Sequence, residues 1–308
     1  MTQRSYTVGL VLVMVALTIW GLAGLFIHNL VGYGVGPVQI VYYSSALNLL
    51  LLGGGLLLFA PRYLFVPLRV LPELLVVAFL STGLAFIMYT TAIDLVGVSM
   101  GILLNYTAPV WVTLLAWRVL GEPVGLRRVI ALGGAFIGCA LLVRVYDSAA
   151  ISVSALGIAA GLGSGVAWAG YQVFGKRMLQ TLHPFTLSVY GSFTATLVLL
   201  PFQAQPLPLE VPAAAWPWLL VFVVAANLIG PIAFNSGLQV LQAGLVSLLA
   251  IWEIVIGVAI GVMLLGEVIE PYQAIGGLLV VASVYALRPS APPDPCGPSG
   301  PMPIPADA

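Results

Sequence analysis

Ten long apolar runs, parted by short breaks, fill almost the whole of this 308-residue chain, and no other feature limits its fold as much. They lie at about 7–30, 38–60, 71–93, 97–117, 125–145, 154–178, 184–203, 215–238, 242–265 and 271–288. A bilayer-spanning helix needs about 20 apolar residues, so each run has roughly the length of a span. The breaks hold Gly36-Pro37, Pro61-Arg62, Pro67, Gly121-Glu122-Pro123, His183-Pro184, Pro206, Pro208 and Glu270-Pro271. Barrel strands alternate in polarity over about ten residues, whereas these runs are longer and apolar all round. Charged residues are 6% of the chain, against about 25% in soluble proteins. The predicted fold class is an all-α polytopic membrane protein with ten transmembrane helices.

The few charges predict its orientation. Arginine and lysine mark the cytoplasmic side of membrane proteins. With the N-terminus inside, Arg4, Arg62, Arg69, Arg118, Arg127, Arg128, Lys176, Arg177 and Arg288 all fall inside, and only Arg144 falls outside. Asp94, Asp147, Glu210, Glu267 and Glu270 fall outside. The apolar run after Met1 is too long for a signal-peptide core, so it is read as an uncleaved first span. Residues 289–308 hold eight prolines and almost no large apolar groups, which predicts a disordered cytoplasmic tail. With 10 basic and 10 acidic residues, the chain has no general attraction for nucleic acid. Cys139 and Cys296 lie in an apolar run and a polar tail, which predicts neither a disulfide nor a metal site.

The chain also repeats itself. Trp20 matches Trp168 and Gly9 matches Gly157 at an offset of 148. Pro72 matches Pro217, and Val-Leu-Gly-Glu at 119–122 matches Leu-Leu-Gly-Glu at 264–267, at an offset of 145. Gly133-Gly134 matches Gly276-Gly277 at 143. Each half holds five runs, and an odd number forces the halves to insert with opposite orientation. Secondary transporters use such inverted repeats and place substrate near the midplane between them. The predicted domains are a first repeat at 1–148, a second, inverted repeat at 149–288 and the tail at 289–308.

Two five-helix repeats, each with Gly-Glu closing its fourth helix, resemble the EamA type of the drug/metabolite transporter superfamily. The resemblance covers about residues 7–288 and in aromatic layout is closest to the YddG group of exporters of aromatic and neutral amino acids. One departure stands out. The family pattern often has Glu-Pro within the ninth helix, but here it is Glu253-Ile254, while Ala108-Pro109 occupies the matching place in the first repeat. The resemblance implies alternating access around a cavity lined by segments 1, 3, 4, 6, 8 and 9. It also implies export as the direction and the inner (plasma) membrane as the location, with both ends cytoplasmic.

Several residues are candidates for the cavity on physical grounds. Glu253 is the one acid well inside a run. An ionised carboxylate at the bilayer centre costs about 2.5–3.5 kcal/mol on insertion scales, so it faces either a cavity, as a partner for an ammonium or a proton, or a helix contact. Pro109 and Pro231 sit inside runs, where proline frees the carbonyl four residues earlier. Those carbonyls belong to Asn105 and Asn227. Asn227, Pro231 and Asn235 share a face at i+4 spacing, so they read as a polar cavity strip with proline hinges or as glue between helices. Trp20, Tyr89, Tyr106, Trp168, Tyr171 and Trp252 lie away from the interfacial belts and read as pocket rings or as packing. The stripes Gly157-Gly161-Gly165, Gly134-Gly138 and Gly257-Gly261 read as close helix contacts. Glu122 and Glu267 read as helix-ending turns.

The expected activity is secondary transport of amino acids, neutral and aromatic ones by the resemblance, through one bilayer and without a cofactor. Other metabolites or drugs, or a channel-like facilitator, are the alternatives. A monomer is one reading of the working unit. No Walker motif supports ATP-driven pumping. An intramembrane enzyme would need a His, Asp or Ser cluster at depth, and Glu253 stands alone there.

Overall fold

The computed structural model describes residues 3–145, 154–203, 211–265 and 270–286. Asp147, Glu210, Gly266, Glu267, Arg288, Cys296 and the segment 289–308 lie outside them. The described residues form ten helical rods, and the chain is a multi-pass membrane protein. These are α1 (Arg4–Gly32), α2 (Pro37–Phe59), α3 (Leu71–Val96), α4 (Val98–Leu120), α5 (Leu126–Leu142), α6 (Ala155–Met178), α7 (Pro184–Phe202), α8 (Ala213–Val240), α9 (Ala243–Leu264) and α10 (Pro271–Ala286). Seven are long and apolar enough to cross a bilayer by length and composition. The other three are α5 and α10, which are short, and α6, which is diluted by glycine, serine and tyrosine. Large apolar side chains such as Leu50, Leu58, Trp117, Ile130 and Leu278 point outward, which hydrocarbon tolerates and water would not.

Local chemistry ends the rods where the breakers predict. Pro37, Pro184 and Pro271 open helices at the first turn, where the missing N–H costs nothing. At α7 the neutral His183 ring also accepts from the Phe185 N–H at 3.3 Å. Burial, and then the nearby Arg62, hold that imidazole below its ordinary pKa, which favours the accepting form. Gly121 ends α4 at φ +67°, a left-handed turn that glycine adopts without strain. Beyond α5, Arg144 pairs with Glu270 at 2.5 Å.

In four of the rods the departures from straight α-helix come in pairs. Wide π turns occupy Phe79–Ala85 of α3 and Val223–Ile229 of α8. α4 breaks into Val98–Asn105 and Ala108–Leu120, and α9 into Ala243–Leu249 and Trp252–Leu265. Both pairs are separated by about the 145 residues of the sequence repeat. A further π turn, Leu49–Gly53, lies in α2.

Helix pairing obeys the same exchange. α1 lies along α8 and α9, as α6 lies along α3 and α4. α5 lies along α10, and α2 along α7. The chain therefore builds two bodies, each borrowing a helix from the other half: α3, α4 and α6 form one, and α8, α9 and α1 the other. Small residues permit this closeness. A Cβ on Gly165 of α6 would stand 3.0 Å from the Asn105 carbonyl oxygen, and one on Gly237 of α8 would stand 2.7 Å from that of Gly9. Gly257 differs, since a Cβ there would meet ordinary contact at 3.8 Å.

Candidate functional site

The two bodies enclose a central cavity of about 420 Å³. Its walls come from α1, α3, α4, α6, α8 and α9, together with Ser45 of α2 and the stretch of α7 from Leu187 to Ala195. Among the described residues, α5 and α10 contribute nothing to the lining.

One wall is polar. Glu253 stands in the first turn of the second half of α9, so the positive end of that half-helix faces its carboxylate. The Tyr106 hydroxyl donates to this carboxylate from the break in α4. Tyr89 and Asn105 line the same region, and Ser164 of α6 holds the Asn105 side-chain oxygen at 3.0 Å. The second half of α4 begins at Ala108 and Pro109, which also line the cavity. Two half-helix N-termini therefore meet the cavity, one beside an acid and one without. Among the lining residues there is no lysine, arginine or histidine.

Another part of the lining is aromatic. Trp20 meets Trp168 edge-on at 6.3 Å between ring centroids, and Trp168 stacks on Tyr171 at 5.2 Å. Fully buried Phe234 backs both tryptophans, at 5.1 and 6.1 Å. The Trp20 indole also has a fixed partner, the Ala226 carbonyl at 3.0 Å. The π turn explains that bond. Gly230 N–H reaches back to Ala225, and Pro231 has no N–H, so the Ala226 oxygen is left without a helical donor. Trp20 supplies one.

The sequence candidates divide at this point. Trp20, Tyr89, Asn105, Tyr106, Trp168, Tyr171, Asn227 and Glu253 line the cavity, as do Pro109 and Pro231. Asn235 does not. It is fully buried behind the wall, accepting from the Tyr171 hydroxyl at 2.8 Å and donating to Ser188 at 3.2 Å. One turn beyond Pro231, the lining residues Tyr171 and Ser188 bond Asn235 and stand between it and the cavity, a neighbour effect that i+4 spacing along one helix does not contain. Trp252 also lies outside the lining. It packs against the buried core, and its indole nitrogen has no hydrogen-bond partner. Pro109 is not in a helix interior but in the first turn after a break, so it marks a helix start.

Other lining residues escaped the sequence reading: Ser45, Gln172, Ser188, Ser192 and Ser247. Small hydroxyls in apolar runs read as helix glue, and here some serve both ends, since Ser188 also receives the Asn235 amide. Gln172 is buried, and its side-chain oxygen has no hydrogen-bond partner. An unpaired buried acceptor costs about 1–3 kcal/mol, which a ligand donor would recover.

The EamA-like transporter family model matches the chain twice, over residues 7–144 and 155–288. Three curated relatives carry transporter names. An uncharacterized transporter of Synechocystis sp. is 26% identical over 220 residues, covering 68% of this chain and 66% of that protein. An uncharacterized transporter of Archaeoglobus fulgidus is 26% identical over 196 residues, covering 64% and 69%. The uncharacterized transporter YwfM of Bacillus subtilis is 27% identical over 207 residues, covering 64% and 68%. The matches thus span about two thirds of each relative. One protein of known crystal structure shares the fold at TM-score 0.76 and 16% identity, over 93% of this chain and 96% of that one.

Proposed function

The chain belongs to the EamA-like transporter family, and on that premise we propose that it is a ten-span secondary transporter exporting neutral and aromatic amino acids across the plasma membrane. In this reading the repeats at 1–148 and 149–288 insert with opposite orientation, and both ends are cytoplasmic. One observation carries the substrate class: a cavity with a single carboxylate, an aromatic wall and no basic side chain among its lining residues. Glu253 and the unpaired oxygen of Gln172 suit the ammonium of a zwitterion. The positive end of the half-helix at Ala108 suits its carboxylate. Trp20, Trp168 and Tyr171 suit an apolar or aromatic side chain. Anionic nucleotides would meet Glu253 without a compensating cation.

The test is flux into or out of liposomes holding the purified protein, against a panel of threonine, methionine, aromatic amino acids and hydrophobic organic cations, with and without a pH gradient. Flux of neutral or aromatic amino acids is the expected result. Passage of the organic cations alone would move the reading to a drug exporter. Rapid, non-saturating flux of every solute would favour a channel-like facilitator.

A further inference from the structure

The end of the cavity nearest the α4–α5 turn is closed, and polar groups reach across the two bodies there. Glu122, just beyond α4, is buried and accepts from the Ala243 and Gly244 N–H groups at 2.6 and 3.1 Å. Those N–H groups open α9, in the other body. Arg128 lies 3.7 Å from Glu122, donates to Pro123 O at 3.1 Å and reaches the Gln242 side chain at 2.6 Å. From α6, Lys176 donates to the Leu238 carbonyl at 3.1 Å and to the Leu241 carbonyl. These belong to the last turn of α8 and the residue after it. In return Gln239 of α8 donates to the Leu179 carbonyl at 2.7 Å. The linker 241–242 between α8 and α9 is thus gripped from both sides by the body containing α4 and α6.

We propose that Glu122 and Lys176 form a latch that holds this end of the cavity shut, and that its release is the step that opens it. Three features support a latch rather than ordinary packing. Its bonds join the two bodies and cluster at one end of the cavity, on the short linker between α8 and α9. It uses helix ends: Glu122 satisfies free N–H groups at the start of α9, and Lys176 satisfies free carbonyls at the end of α8, each favoured by the helix dipole. Both sets can be satisfied by water once the bodies part, so opening leaves no stranded backbone group. The latch also backs the apolar plug made by Val13, Leu17, Leu74, Val77, Val112 and Leu238. Ser247, a lining residue, lies one helical turn from Ala243. Gly244 allows the approach, since a Cβ there would stand 2.8 Å from the Arg128 guanidinium.

The proposal rests on alternating access, but its test needs no substrate. Spin labels at Arg118 on α4 and Val8 on α1, both exposed, report the separation of the bodies at this end in full-length protein in nanodiscs. Cys296 is replaced by serine, and buried Cys139 is left in place. The expected wild-type distribution is dominated by one short distance. Glu122→Ala should raise a longer component relative to the short one by about tenfold or more, the effect of losing a charge-assisted hydrogen bond. Glu122→Gln, which keeps shape and one acceptor oxygen, should fall between, and Lys176→Met should shift the same way. If Glu122→Ala is not monodisperse, the other two variants decide. Wild-type distributions in the folded variants would overturn the latch. Flux measured on the same samples separates the two readings: a shifted distance without amino-acid flux removes the substrate assignment and keeps the latch, and flux with an unmoved distance does the reverse.

Discussion

Replacing Glu253 with glutamine is expected to lower apparent affinity for amino-acid substrates by at least about thirtyfold, the lower end of the roughly 2–5 kcal/mol lost when one partner of a buried charge pair is truncated. The variant keeps the size of the side chain and an oxygen for the Tyr106 hydroxyl, so the wall retains its shape. What it loses is the cavity's one formal charge among the lining residues. No neighbouring acid takes over, and the positive end of the half-helix beginning at Trp252 becomes uncompensated. Substrate titration of liposome flux at about pH 5 and about pH 8 is the measurement, with Glu253→Asp as the control that keeps the charge and shortens its reach. Equal affinity for wild type and Glu253→Gln at both values would reduce Glu253 to a helix contact.

Gly138→Val is expected to cost about 3 kcal/mol in stability, at the upper end for overpacking a well-filled contact. A Cβ at Gly138 would stand 2.7 Å from the Gly276 carbonyl oxygen and 3.1 Å from the Val280 nitrogen. Both are backbone atoms of α10, which cannot yield by a rotamer change. The approach is mutual, since a Cβ at Gly276 would stand 2.6 Å from the Gly138 carbonyl oxygen. Thermal unfolding in detergent measures the cost. Gly133→Val, five residues earlier in a position with open space around its Cβ, should stay within about 0.5 kcal/mol of wild type. Because α5 and α10 add no lining residue, the surviving fraction of Gly138→Val should transport with unchanged affinity. Equal unfolding temperatures for the two variants would mean that α5 and α10 do not pack as closely as described.

Where the rods run was readable because hydrocarbon accepts only long apolar helices with satisfied backbones; the run at 71–93 became Leu71–Val96, and that at 215–238 became Ala213–Val240. What happens inside them was only half readable. Pro109 signalled the α4 break, but Ala250-Ile251 carries no breaker, and only the repeat offset from Tyr106 points there. The π turns have no residue signature either, and spacing along α8 does not show that Tyr171 and Ser188, from two other helices, cover Asn235. Glu122 shows the same limit at longer range. As sequence it is a turn residue after Gly121, while its partners are 121 and 122 residues away at the head of α9. The lining serines of α7 went unseen because a hydroxyl satisfied by its own helix, as Ser188 is by the Pro184 carbonyl at 3.0 Å, carries no mark of the cavity it also faces.

The crossed pairing of helices bears on how the chain is made. Synthesis delivers α1 well before the helices it lies along, since α8 and α9 are encoded about 200 residues later. The body of α3 and α4 likewise waits for α6. Neither half holds a finished body, so α1 is in place well before its long-range partners are made. The tight seat of Gly9 against Gly237 and the bond from Trp20 to Ala226 cannot form until α8 has been made, and they join parts of the chain synthesised far apart in time.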